Sequence, residues 1–267
     1  MRKLVPCIAL LTLLSHCARQ ESPVQKTAAP AVTRQASPVP PVRVHHMING
    51  EGSIYMPSRL CYLDEVVPGI RVDLRYCGDN NFVGRPIAGY TTGSRAILRR
   101  DTAECLKRAQ EELNTKGLGL LVWDAYRPHR AMQDFYEWSL SDDERMKAHY
   151  YPNITKRGIY EGKYIRRSSE HSLGVAVDVT IINLATGQPL DMGSDFDFLD
   201  TSSATRFAGV TAEQHANRML LHDTMDRAGM RNYKREWWHY FLKNRGAVVR
   251  YDFPLCDTLL PLPDSLL

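Results

Sequence analysis

Two short segments carry side chains whose types and spacing suit a divalent metal. In the first, His171-Ser172-Leu173-Gly174-Val175-Ala176-Val177-Asp178, a histidine and an aspartate flank a glycine and an apolar run. An extended strand places Val175, Val177 and Val179 on one side, and Ala176, Asp178 and Thr180 on the other. A carboxylate on such a strand is costly to bury unless a partner or a cation compensates it. Gly174 permits the tight approach that brings His171 back beside Asp178. The second segment is Glu236-Trp237-Trp238-His239-Tyr240. Its offset of three puts Glu236 and His239 on opposite faces of a regular strand, whereas a helical turn or a bulge at the strand entry aims both into one pocket. Two histidines and one aspartate are zinc ligands that leave the fourth tetrahedral position open, as catalytic sites do. Each piece alone has a plainer explanation. A histidine beside a strand is usually a hydrogen-bonded polar residue, Glu-x-x-His arises by chance, and tryptophans belong in cores. The conjunction, with the two segments about sixty residues apart, favours the metal. His45, His46, His129, His149, His215 and His222 lack comparable partners in the sequence.

The elements that must position these residues follow from periodicity and caps. Asp101 with Glu104 resembles a capping box, followed by Leu106, Ala109 and Leu113 on one helical face and Gly117 as a stop. Leu120-Leu121-Val122-Trp123 predicts a buried strand running into Asp124-Ala125-Tyr126-Arg127-Pro128, where Pro128 opens a helix through Met132, Phe135 and Tyr136. A long helix is predicted from Thr211, with Gln214 as capping partner, Leu221, Met225 and Ala228 on its apolar face, and Gly229 as its end. Val175–Ile182 and Trp238–Leu242 are further strands. No regular β-α-β alternation appears, so the expected fold is α+β, a single domain with a small, mainly antiparallel sheet flanked by helices.

Composition narrows the rest. With 43% apolar and 24% charged residues the chain can build a soluble core, and a net charge of +4 without a basic stripe gives no support to a nucleic-acid partner. Met1-Arg2-Lys3 followed by the apolar Leu4–Leu14 reads as an export signal over residues 1–17. Leu13-Leu14-Ser15-His16-Cys17 resembles a lipobox, from which His16 departs because a small residue usually precedes the cysteine. Residues 18–48, interrupted by Pro23, Pro30, Pro38, Pro40 and Pro41, suit a flexible tether, and 49–267 the folded domain. The expected location is the periplasm, with a membrane tether through a lipidated Cys17. Cys61, Cys77, Cys105 and Cys256 contain no Cys-x-x-Cys pair, which disfavours a thiolate zinc site, and they allow three full disulfide pairings.

From Leu63-Asp64-Glu65 to Tyr251-Asp252-Phe253-Pro254 the chain resembles the D-alanyl-D-alanine dipeptidases of the vancomycin-resistance type, and more broadly the zinc D,D-peptidases with a hedgehog-like fold. The resemblance passes through Val72-Asp73-Leu74-Arg75-Tyr76, Asn81-Phe82-Val83-Gly84, Asp124–Pro128, Ser169–Asp178, Met192–Asp197 and Glu236–Tyr240. It implies one Zn2+ per chain held by His171, Asp178 and His239, with Glu236 as general base and Arg127 polarising the substrate carbonyl. It also implies a pocket for D-Ala-D-Ala lined by Tyr76, Ser169 and Asp197. Asp197 lies in an acid-rich run that is either a solvated loop or a receiver for the dipeptide's amine. The export signal and tether depart from the cytoplasmic resistance enzymes and leave the role in wall-peptide turnover open. The alternatives are a D,D-carboxypeptidase or endopeptidase on longer wall peptides, or an inactive zinc-binding module, which would need neither Glu236 nor Arg127.

Overall fold

The apolar run around Asp178 forms an extended strand, Ala176–Asn183, in which every residue but Asn183 is buried. A strand this apolar needs a neighbour on each edge, and it has two antiparallel ones, Leu118–Asp124 and His239–Leu242. The computed structural model of the chain describes residues 55–255 other than 163, and the backbone of 260 and 261. The signal and tether segments, with Cys17, His45 and His46, and also Cys256, lie outside the described residues. All described residues fall in one compact unit, and none of their helices is long and apolar enough to cross a membrane.

In chain order the elements are β1 (Tyr55–Met56), β2 (Leu60–Tyr62), α1 (Leu63–Val66), β3 (Arg71–Val72), β4 (Ile97–Arg99), α2 (Arg100–Asn114), β5 (Leu118–Asp124), α3 (His129–Ser139), α4 (Lys147–Tyr150), α5 (Lys156–Glu161), β6 (Ala176–Asn183), α6 (Ala212–Arg227), β7 (Met230–Asn232), β8 (His239–Leu242) and β9 (Leu260–Pro261). The main sheet has the order β3-β5-β6-β8-β7, and only β3 and β5 run parallel. Helix α2 packs on β5 and on α6, α6 packs on β7, and α3 packs on α5. This is the α+β fold expected, with a mainly antiparallel sheet between helices.

The helix ends show which local signals held. Thr211 and Gln214 form a reciprocal capping box at α6, and Leu221, Met225 and Ala228 are buried, with Gly229 beyond them in a left-handed conformation. Pro128 is the residue before the first turn of α3. The box read at Asp101 does not form. Helix α2 begins two residues earlier than that box would start it, after Arg99 and with no side-chain cap. Asp101 instead accepts from the Arg99 guanidinium and from the Thr102 amide, so an ion pair competes successfully for the capping carboxylate. Cys61, Cys77 and Cys105 are free thiols. Each full pairing of the four cysteines would join two of these three, so none of the three is formed.

Between the sheet and the site stands the turn His171–Leu173, which Gly174 closes at φ 68°. The turn is pinned from outside. The Arg127 amide donates to the His171 carbonyl at 3.3 Å, and the Arg99 amide donates to the Gly174 carbonyl at 2.8 Å. A Cβ at position 174 would stand 2.8 Å from Leu60 Cδ2 and 3.2 Å from the Arg99 nitrogen. Gly174→Ala is therefore expected to cost about 1–3 kcal/mol, from left-handed strain plus displaced neighbours, and to loosen His171. Urea denaturation and zinc titration of the purified variant check both effects; unchanged values would remove this role for the turn.

Candidate active site

Three segments far apart in sequence bring nitrogen and oxygen donors to one point. Asp178 lies opposite His239 in the β6–β8 register, and the turn before β6 swings His171 over both. His239 Nδ1 is 2.9 Å from Asp178 Oδ1 and 3.1 Å from His171 Nε2, which is itself 3.4 Å from Asp178 Oδ2. One ligand atom from each residue fits within 4.8 Å of the others. His171 Nδ1 lies 2.6 Å from the Ala125 carbonyl, an acceptor only, so Nδ1 carries a proton and Nε2 is the nitrogen that faces the cluster. A second-sphere hydrogen bond of this kind is how metal-binding imidazoles are oriented. Burial alone would raise the Asp178 carboxyl, but His171 and His239 outweigh it and hold it far below the usual range. Two imidazoles and one ionised carboxylate suit zinc, with the fourth tetrahedral position left for a substrate or water.

On its other edge β6 pairs with β5, where a bulge at Trp123 sets Asp124 opposite Asp178. Two buried carboxylates this near repel unless a cation stands between them. Arg127 does so, with Nη2 2.7 Å from Asp124 and 3.3 Å from Asp178. Asp124 Oδ1 also accepts from the Tyr90 hydroxyl at 2.6 Å, and Oδ2 lies 3.3 Å from His171 Nδ1. A structural ion pair with Asp124 is the plainer explanation of a buried arginine here; that pair exists, and the same guanidinium also faces the cavity beside the cluster.

That cavity, about 250 Å³, is lined by Tyr76, Arg127, Ser169, Asp178, Asp197, Glu236 and His239 among others, while His171 lies fully buried behind it. Glu236 reaches it through a turn. Its amide donates to Tyr233, and the His239 amide donates back to the Glu236 carbonyl at 3.3 Å, so the chain reverses across Trp237 and Trp238 before β8 begins. Both tryptophans are core residues with 1% exposure, and Trp237 Nε1 donates to Ser194. Burial, and then the Asp178 charge, push the Glu236 carboxyl up to about 8. Ser169 Oγ accepts from the His171 amide at 3.2 Å.

The acid-rich run divides. Asp191 and Asp195 are exposed, but Asp197 turns inward at 6% exposure and accepts from the Tyr76 hydroxyl at 2.8 Å. Among the described residues it is the one non-glycine with positive φ, at 59°. Burial and the nearby Asp178 raise its carboxyl well above the normal range. The loop that carries it is gripped by the fully buried Arg218 of α6, which donates to the carbonyls of Met192 at 2.6 Å, Ser202 at 2.9 Å and Ala204 at 2.8 Å. The sequence did not mark Asp124, Arg218, Arg166 or Tyr233 as residues of the site. An aspartate closing an apolar strand was the available signal for Asp124. Among the remaining histidines, His215 and His222 lie on α6, His149 is exposed and 3.7 Å from Asp195, and His129 Nδ1 is buried without a partner among the described residues.

Known proteins extend the geometry. The family described as D-ala-D-ala dipeptidase matches residues 56–257. A D-alanyl-D-alanine dipeptidase of Enterococcus faecium is 39% identical over 196 residues, which span 73% of this chain and 96% of that protein. One from Streptomyces coelicolor is 39% identical over 202 residues, 75% of this chain and 100% of that protein. Among solved structures, the LD-carboxypeptidase LdcB superposes with a TM-score of 0.39 at 17% identity, over 70% of this chain and 69% of that one. The family match spans both donor segments and the loop between them, and the chain belongs to the D-Ala-D-Ala dipeptidase family of peptidases.

Proposed function

We propose that this chain hydrolyses D-alanyl-D-alanine to two D-alanines, using one zinc ion per chain. The observation that carries this reading is the convergence of a His-Asp-His cluster, a fixed guanidinium and two buried carboxyls on one small cavity. At about 250 Å³ the cavity falls below the ~300–1,000 Å³ of drug-sized ligand sites. Asp197, a buried carboxyl in the cavity wall that can receive a free amine, suits a dipeptide better than the longer wall peptides of a D,D-carboxypeptidase or endopeptidase. A metal kept only for stability would use neither Glu236 nor Arg127.

His171, Asp178 and His239 would hold the zinc, which when bound would supply a Lewis acid and a water activated near neutral pH. Glu236 takes the proton of the attacking water on its carboxylate and returns it to the leaving amine. Its buried setting lifts its proton affinity, and the charge of a bound cation acts in the opposite direction, so the two together tune one group for both transfers. Arg127, locked by Asp124, directs a permanent positive charge at the carbonyl oxygen, where such a donor contributes ~3–4 kcal/mol as negative charge develops. Asp197, steadied by Tyr76, receives the substrate ammonium, which compensates a carboxylate that is costly to ionise alone. Ser169 lines the cavity two residues before His171.

Residues 1–48 support a further part of this reading, export to the periplasm and tethering through a lipidated Cys17. Mass spectrometry of the native N-terminus should find a mature chain that starts at a modified Cys17. A retained Met1 in the cytosolic fraction would overturn export, and an unmodified Cys17 would overturn lipidation alone.

His171→Ala, Asp178→Ala and His239→Ala should each lower zinc content by elemental analysis, whereas Glu236→Gln should keep zinc and lose about 10²–10⁴-fold in turnover. Full zinc in all three ligand variants, or normal turnover in Glu236→Gln, would remove the assignment. Asp197→Asn should separate binding from stability. The folded chain holds this proton more tightly than the unfolded chain, so the contribution of Asp197 to stability declines as pH rises above 3.8. Asparagine escapes that decline. The variant should melt higher than the parent at neutral and alkaline pH, converge with it in acid, and show a raised KM; a lower melting temperature at neutral pH would contradict this.

A further inference from the structure

A dipeptide carries a carboxylate as well as an ammonium, and the charges around the cavity decide where that carboxylate goes. Glu170, Asp178, Asp197 and Glu236 line the cavity against two guanidinium groups, those of Arg127 and Arg166. Arg127 is committed to Asp124 and Asp178. Glu170 accepts from Arg245. Arg166 has no carboxylate partner among the described residues. It is exposed, which sets it at the solvent side of the cavity, and it rests on Tyr233. Its Nη2 donates to the phenol oxygen at 3.4 Å, with Cζ 5.7 Å from the ring centre.

Tyr233 is in turn tied to the metal cluster. Its amide donates to the His239 carbonyl at 2.9 Å, and its ring centre lies 5.8 Å from that of His239. An arginine braced against an aromatic residue by one N–H keeps its other donors free and loses less freedom when it engages a planar anion. We infer that Arg166, braced by Tyr233, binds the C-terminal carboxylate of the substrate and so restricts cleavage to a bond one residue from a free C-terminus. This rests on the dipeptidase reading above. With Asp197 at the amine end, the two charges measure a zwitterion of two residues and turn away longer or capped peptides.

The test compares D-Ala-D-Ala with its C-terminal amide in the zinc-loaded enzyme and in Arg166→Gln and Arg166→Lys. A charge-assisted contact predicts that the parent prefers the acid over the amide by about 10- to 100-fold in kcat/KM, carried mostly by KM. Arg166→Gln should raise KM for the acid by a similar factor with little change in kcat, and should erase the acid-over-amide preference. Arg166→Lys should recover part of it. If Arg166→Gln keeps the parent preference, or weakens both substrates equally, Arg166 only packs on Tyr233 and the inference falls. If the parent cleaves neither compound, the dipeptidase reading fails and this inference goes with it.

Discussion

A carboxylate at the centre of a sheet has to be answered by positive charge, and the placing of Asp178 imposes that demand on everything around it. The strand that carries it is buried almost end to end, so water cannot supply the compensation. The sheet makes the demand sharper by setting a second carboxylate, Asp124, in the facing position of β5. Arg127 answers both, His171 arrives on a glycine-closed turn, and His239 faces Asp178 from β8. Removal of Arg127 would deprive two buried carboxylates of their shared cation, which is far more damaging than the loss of a surface ion pair. A divalent cation satisfies the same demand. Metal binding and folding of this sheet are therefore coupled through electrostatics rather than joined only by proximity.

Much of this was legible because the informative residues violate the local pattern. An aspartate within Val175–Ile182 stands out against an apolar strand, and a glycine beside it signals a reversal; the structure has both features. Thr211 and Gln214 announce a helix start that no neighbour contests. Asp101 and Glu104 offered a similar signal, yet Arg99 captured the capping carboxylate, a competition that depends on where the β4 end points. The segment before His239 allowed either a helical turn or a bulge, and the hydrogen bonds from Tyr233 to His239 chose a turn.

What stayed hidden depends on register and on contacts between distant segments. Nothing in Leu120–Asp124 says that its last residue will face Asp178, because strand pairing is set by the whole sheet. Likewise, the run from Asp191 to Asp200 contains several chemically equal acids. Only the left-handed backbone at 197 and the hydroxyl of Tyr76, more than a hundred residues away, turn one of them inward.

Arg218 grips the Asp197 loop by its backbone. All three of its acceptors are main-chain carbonyls, at Met192, Ser202 and Ala204, so the clamp is indifferent to the side chains found there. Side chains seat the rest of the loop, with Phe196 and Leu199 buried in the core and Ser194 accepting from Trp237 Nε1. The loop and the metal-binding cluster are built on different segments, since Asp197 enters the cavity from the loop while His171, Asp178 and His239 come from the turn before β6, from β6 and from β8. A change at Arg218 would therefore disturb the wall that carries Asp197 before it disturbed the metal-binding cluster, because the clamp touches none of the cluster's residues.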